Sequence, residues 1–332
     1  MRALTERALP GRRGSAWIAT AGTAVILAGL AACAVPVPGQ RAGLLRAATV
    51  TPSAARTTPA PASSAAVRSA AADQAAGAGS PCPPMPPGGL KLNPTLPKPP
   101  PPPRGATNTH APPELGCAYA VGYADVRKQN GAALVGPGLL NLSIGDRILI
   151  SVGKNYFQQD SAAQFDFRPC RTCRVVHALP PARATFLAFG FMPVSATLQL
   201  TEVGTINIYS VGTLSALGTN TAWSRMTLRV SDVTVDGKKL DVGSHCQTSR
   251  PVLIKLVGVS TGPHPYSLQG GGPLTGEVTI PPFAGCGVTE DLDPLFTGTV
   301  SGPGNFAQFT QGSLCTLIGD LGCPPPIPKP LR

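Results

Sequence analysis

From residue 114 onward the chain alternates. Leu198 and Leu200 are flanked by polar neighbours, Ile206 and Ile208 repeat the pattern, and Met226, Leu228 and Val230 continue it. A period of two sends successive side chains to opposite faces, which is the signature of half-buried strands. "LLNLSIGDRILISVG" at 139–153 and "SATLQLTEVGTINIYSVG" at 195–212 each read as two strands. "WSRMTLRVSDVTVDGKKLDVG" at 223–243 reads as a strand, an Asp236-Gly237 type I′ hairpin turn and a shorter strand. "VLIKLVGVS", "GEVTI", "LFTGTVSG" (295–302) and "NFAQFTQG" continue the series, divided by Gly, Pro, Asn and Asp. No stretch of about twelve residues carries a helical period. The pattern predicts an all-β, disulfide-stabilised antiparallel β-sandwich over residues 114–323, as one domain or two small ones.

The chain before this region is organised differently. Residues 1–32 have the anatomy of an export signal: Arg2, Arg7, Arg12 and Arg13, then the apolar run Ala16–Ala32, which ends in small residues. That run is diluted by Thr20, Gly22, Thr23 and Gly29 and is shorter than the roughly 20 strongly apolar residues of a membrane span. "LAAC" at 30–33 resembles a bacterial lipobox, making Cys33 the expected lipid-bearing first residue. Ala32-Cys33-Ala34 equally suits ordinary signal cleavage, which would discard Cys33. Residues 33–113 are rich in Ala, Pro, Ser and Thr and nearly free of aromatics, so they read as a disordered linker that cannot bury enough apolar surface to offset its ordering entropy. Its second part, "PCPPMPPGGLKLNPTLPKPPPPPRG" at 81–105, predicts an extended polyproline spacer. Residues 324–332 form a Pro-rich tail.

Charge narrows the partners. The net +11 is concentrated outside the strand-rich region, because residues 111–332 carry sixteen basic and fourteen acidic side chains. A near-neutral domain lacks the basic footprint of nucleic-acid binding, so no nucleic acid is expected. The membrane, reached through an N-terminal lipid or signal anchor, is the expected partner. A surface polymer or protein ligand is left open.

Nine cysteines in an exported chain imply an oxidising compartment. Setting Cys33 aside leaves eight, an even number that suits four disulfides among about a hundred possible connectivities. Cys286 and Cys315 flank two strand-like runs and are the expected bridge. Cys82 and Cys323 both begin Cys-Pro-Pro, which suggests a link between linker and tail. Cys117, Cys170, Cys173 and Cys246 complete the set.

The run "GGGPLTGEVTIPPFAGCGVTEDLDPLFTGTVSGPGNFAQFTQGSLC", with "FGFMPVSATLQLTEVG" before it and "GCPPPIPKP" after it, resembles a family of secreted proteins and lipoproteins of actinobacteria, mostly streptomycete-like, over about residues 165–330. The resemblance implies an extracellular address and a fold style, and it implies no active site.

Candidate chemistry is sparse. "RPCRTCRVVH" and "SHC" offer Cys170, Cys173, His177, His245 and Cys246, but not at the spacing of zinc ribbons, and Arg174 stands where a haem-attachment motif needs His. Gly258-Val259-Ser260-Thr261-Gly262 matches a nucleophile elbow, yet Pro263 and Pro265 follow where a helix should start, so Ser260 reads as a turn residue. Glu290, Asp291 and Asp293 could bind calcium or pair as glycosidase carboxylates, whereas a capping turn with Thr289 as N-cap accounts for the same letters. Gly270-Gly271-Gly272 lacks the Lys of a phosphate loop and reads as a bend. Trp223 is the one tryptophan outside the leader. His110, His177, His245 and His264 have no recognisable acid or nucleophile partner.

The expected function is therefore a non-catalytic binding or structural β domain on an exported, lipid-anchored or released envelope protein, with no catalytic residues, metal or cofactor. The rival is a secreted hydrolase acting on wall or environmental polymer. A calcium-dependent adhesin module is a third reading.

Overall fold

The computed structural model describes residues 82–331 apart from 110, 189, 217 and 317–321. The export signal, Cys33, His110 and the linker up to residue 81 lie outside the described residues.

Three strands open the barrel wall: β2 (Glu114–Val126), β3 (Gly131–Ser151) and β4 (Tyr156–Asp166). Their hairpins turn at Asn130 and Asn155, both in the left-handed region that Asn tolerates better than most residues. β5 (Ala182–Ala188), β6 (Met192–Glu202), β7 (Ile206–Gly212) and β8 (Thr219–Val235) follow. The Asp236-Gly237 turn leads from β8 to β9 (Lys238–Leu240), both turn residues having positive φ as the sequence predicts. β10 (Gln247–Thr248), β11 (Val252–Val259), β12 (Gly272–Ile280), β13 (Phe283–Ala284), the helix α1 (Asp293–Thr299), β14 (Gly302–Gln311) and β15 (Cys315–Thr316) complete the chain, with the short β1 (Thr107–Asn108) on the edge of β3.

All pairings are antiparallel, and the sheet returns on itself in the order β2-β14-β12-β11-β8-β7-β4-β3 and back to β2. The fold is therefore a closed eight-stranded barrel, which corrects the expected sandwich. The cause lies in β3 and β8, which are long enough to serve both walls. One half of β8 pairs with β7 and β11 and the other half with β6, while β3 pairs with β4 along one half and meets β5 near its start. Closure removes the free edges that a sandwich would leave.

Alternation decides what fills the interior. Ala118 and Ala120 of β2 face inward with Leu140, Leu142, Ile208 and Val230, whereas Cys117 and Tyr119 face out and join Leu139 and Cys315 in a second apolar cluster. Residues 82–109 lie against this outer wall. Leu90 and Leu96 are buried, the Leu90 N–H donates to Ser143 Oγ at 2.7 Å, and the Asn93 N–H donates to Asn207 Oδ1 at 2.7 Å. The last part of the expected spacer is thus a strap seated on the barrel. Two leucines amid the prolines supply the apolar contact that a pure Pro/Ala stretch lacks.

Among the described residues there are four disulfides: Cys82–Cys117, Cys170–Cys173, Cys246–Cys286 and Cys315–Cys323. The expected Cys286–Cys315 bridge is not among them. The run 295–302, read from sequence as a strand, begins inside α1 (Asp293–Thr299), so no hairpin spans the two cysteines. Pairing of Gln247 with Ala284 brings Cys246 beside Cys286, while Cys315 sits opposite Cys117 on β2. Cys82 bonds to Cys117 rather than Cys323. The linker and tail nevertheless meet, since Cys82 Sγ lies 3.6 Å from Cys315 Sγ and Cys323 packs on the same cluster.

Candidate functional site

The recognisable sequence motifs do not converge. Ser260 Oγ accepts from Asn220 Nδ2 at 3.3 Å, and His264 is exposed, so the elbow-like pentapeptide is a turn. Asp293 accepts the N–H groups of Gly285 and Cys286, fixing the loop that carries Cys286, and Asp291 accepts the Asp293 N–H. The N-cap of α1 is Leu292, so Thr289 does not cap it. Cys170 and Cys173 are bonded to each other, and His177 Nδ1 is 3.0 Å from Asp166 Oδ1. His245 is exposed beside Ser244. Trp223 carries Lys255 Nζ over its ring, 5.4 Å from the centroid. Among the described residues, the one group with metal-ligand spacing is Cys82, Cys117 and Cys315. Those sulfurs are in disulfides and offer no thiolate.

What the fold does assemble is a hollow. A cavity of ≈ 70 Å³ lies within the barrel, and none of the fifteen residues lining it carries a formal charge. Phe165, Leu200 and Met226 line one part, Ile206, Ile208 and Ala222 a second, and Leu256, Leu274 and Phe309 a third. Inward-facing positions of β4, β6, β7, β8, β11, β12 and β14 supply these side chains, which is the alternation read from sequence. Polar groups enter the lining only at Ser224, Tyr266 and Gln311. The charged network nearby, in which Arg147 Nε donates to Asp160 Oδ2 at 2.7 Å, belongs to the outer wall. Asp160 pairs with Tyr209 across the strands, on the face opposite Ile208.

Tyr266 stops the end of this hollow. It sits in the loop from β11 to β12, is 1% exposed, and donates its hydroxyl to Gln311 Oε1 at 2.8 Å. Gln311 is held in turn, its Nε2 donating to the Leu268 carbonyl at 2.8 Å. The Tyr266 ring rests on Gly258, where a Cβ would lie 2.8 Å from the tyrosine Cβ and Cγ, so only glycine leaves the ring its seat. Burial pushes the phenol far above its ordinary pKa, which keeps it a neutral donor. On the other side of Tyr266 lies an open recess of ≈ 490 Å³, lined by Ser260, Thr261, Pro265, Ser267, Gly270 and Gly271 together with Tyr266 itself. Gly271 and Gly272 have positive φ, and side chains there would strike the Gln311 and Pro265 carbonyls. The triple glycine is thus a tight return beneath the recess, as the sequence predicts for a bend.

Glu202 ends β6 and reaches β4 just beyond its last pair with β7, Ala163 with Ile206. Its Oε1 accepts the Phe165 N–H at 3.1 Å, while its Oε2 is buried with no hydrogen-bond partner. Its strand neighbour Leu200, its cross-strand partner Met226 and Phe165 all line the cavity. Burial raises the carboxyl well above the usual range, and the Asp166 charge adds to this while the Phe165 N–H opposes it.

Sequence reasoning missed Tyr266, Gln311 and Glu202. The available signal was a bulky Tyr placed among Pro, Ser and Gly in "GPHPYSLQGGG", which is unusual for a solvated loop. No known protein family, no curated protein and no solved structure matches the chain.

Proposed function

We propose that the chain is an exported, envelope-tethered binding protein, with Cys33 as lipid-bearing residue, and that its barrel works by holding a small molecule rather than by catalysis. The observation that carries this reading is the uncharged apolar hollow behind a solvent-open recess. Ligand pockets are concave, mostly apolar, and carry a few convergent polar groups, as this one does at Ser224, Tyr266 and Gln311. The four disulfides support an oxidising, extracellular setting. Among the described residues, no helix is long and apolar enough to cross a membrane.

Native mass spectrometry of protein extracted from its own host membranes, alkylated before any reduction, tests both halves of the proposal. The expected species begins at Cys33 with a diacylglyceryl adduct, has eight unalkylated cysteines, and carries a small-molecule mass that is lost on denaturation. A lipid-free species with no releasable ligand would overturn the reading.

A further inference from the structure

We infer that the barrel takes an uncharged, largely apolar molecule, such as a small ring or short-chain hydrocarbon with one hydrogen-bonding group, and that Tyr266 is the gate through which it passes. This rests on the binding reading above and adds the ligand class and the route.

The ligand class follows from the lining. A charged guest would have to shed its hydration inside a wall that offers it no counter-charge, whereas an apolar guest gains by leaving water. Glu202 does not alter this balance, because it is not among the residues that line the hollow and its Oε1 is turned to the Phe165 N–H. One polar atom on the guest is accommodated, since Ser224 lines the hollow and withdrawal of Tyr266 frees Gln311 Oε1 as an acceptor.

The route follows from Tyr266 lining both spaces. At ≈ 70 Å³ the cavity alone has room for only a few water molecules. Withdrawal of the Tyr266 ring would add its own volume and join the cavity to the ≈ 490 Å³ recess. That movement is opposed by the packing of a fully buried ring and by one side-chain hydrogen bond. The ring lies on the bare backbone of Gly258, and the hydroxyl is held by Gln311 alone among the described contacts. The loop backbone is anchored at Tyr266 N to the Val259 carbonyl and between Ser267 and Gly271, so a rotation of the side chain suffices and the loop need not unfold.

The test uses the small neutral arene toluene with purified full-length protein, its exchange rates and affinity read by NMR line shape and titration. Tyr266→Phe keeps the ring and deletes the bond to Gln311. Association and dissociation rates are both expected to rise about fivefold, the rate equivalent of one ordinary buried hydrogen bond, with equilibrium affinity nearly unchanged. Ala222→Phe and, independently, Ile206→Phe fill the hollow and are expected to abolish binding while circular dichroism stays native. Using two filling variants guards against one that fails to fold. Wild-type binding that survives both folded filling variants, or rates indifferent to Tyr266→Phe, would overturn the gated cavity and leave a recess-binding protein. Absence of binding in the wild type and in Tyr266→Phe alike would remove the binding reading itself.

Discussion

Glu202 sets a pH dependence that a single substitution can expose. In the unfolded chain its carboxyl ionises in the ordinary range near 4.5, whereas the native site keeps it protonated well above that. The native state therefore retains a proton that the unfolded state releases, so the group lowers stability progressively as pH rises from the ordinary carboxylate range, and lowers nothing below it. Glu202→Gln preserves the acceptor for the Phe165 N–H and cannot ionise. It is expected to flatten the fall of Tm as pH rises above the ordinary carboxylate range. A variant whose Tm follows the wild-type pH curve would show that Glu202 is not held neutral. This residue was illegible in "LQLTEVG" because alternation assigns Glu202 to the inward face with Leu198 and Leu200, while its polarity suggests the end of the strand. Both are true, since it ends β6 and turns inward to satisfy the Phe165 N–H, which lies beyond the last β4–β7 pair.

Disulfides and helices are the elements on which local pattern and final structure disagreed. Eight paired cysteines followed from their even number and their setting, but connectivity depends on which strands become neighbours. That was decided by the β10–β13 pairing and by β15 lying against β2. "LFTGTVSG" misled because Thr and Val favour strands, yet Pro294 sits in the first turn of α1 and Asp293 is fixed to the preceding loop, so the chain starts as helix. The four bridges should contribute unequally. Cys246–Cys286 closes a span of 40 residues and is buried, and replacing both cysteines with Ala is expected to cost about 4 kcal/mol in urea unfolding on the chain-entropy estimate. Cys170–Cys173 spans 3 residues in an exposed loop, and its removal is expected to cost about 1.5 kcal/mol on the same estimate. Equal losses for the two would contradict this ranking.

At the scale of the whole molecule, the strand-rich composition and the alternation were readable, whereas closure was not. Every strand of a sandwich or a barrel shows the same two-residue period. The difference is whether β2 meets β14, a pairing between residues such as Ala124 and Ala307 that no local window contains. The strap was hidden for a related reason: its prolines advertise an extended chain correctly but do not reveal that Leu90 and Leu96 have a wall to bury against. Leu96→Ala is expected to lower stability by about 2 to 4 kcal/mol, in line with other buried leucine truncations. A loss below about 0.5 kcal/mol in urea unfolding would mean that the strap contributes little to the folded state.

The Cys82–Cys117 bond also decides how the domain responds to being pulled. Tension applied to the chain ahead of residue 82 reaches the barrel through a covalent bond into β2, a strand hydrogen-bonded to β3 on one flank and to β14 and β15 on the other. The strap is bypassed, and β2 can be drawn out only if the ladders on both flanks shear together. Cutting that one bond moves the first point of yield to the strap, whose contacts can peel one at a time. A protein held against flow or shear by its N-terminal end would thus have its mechanical threshold set at the join between tether and wall.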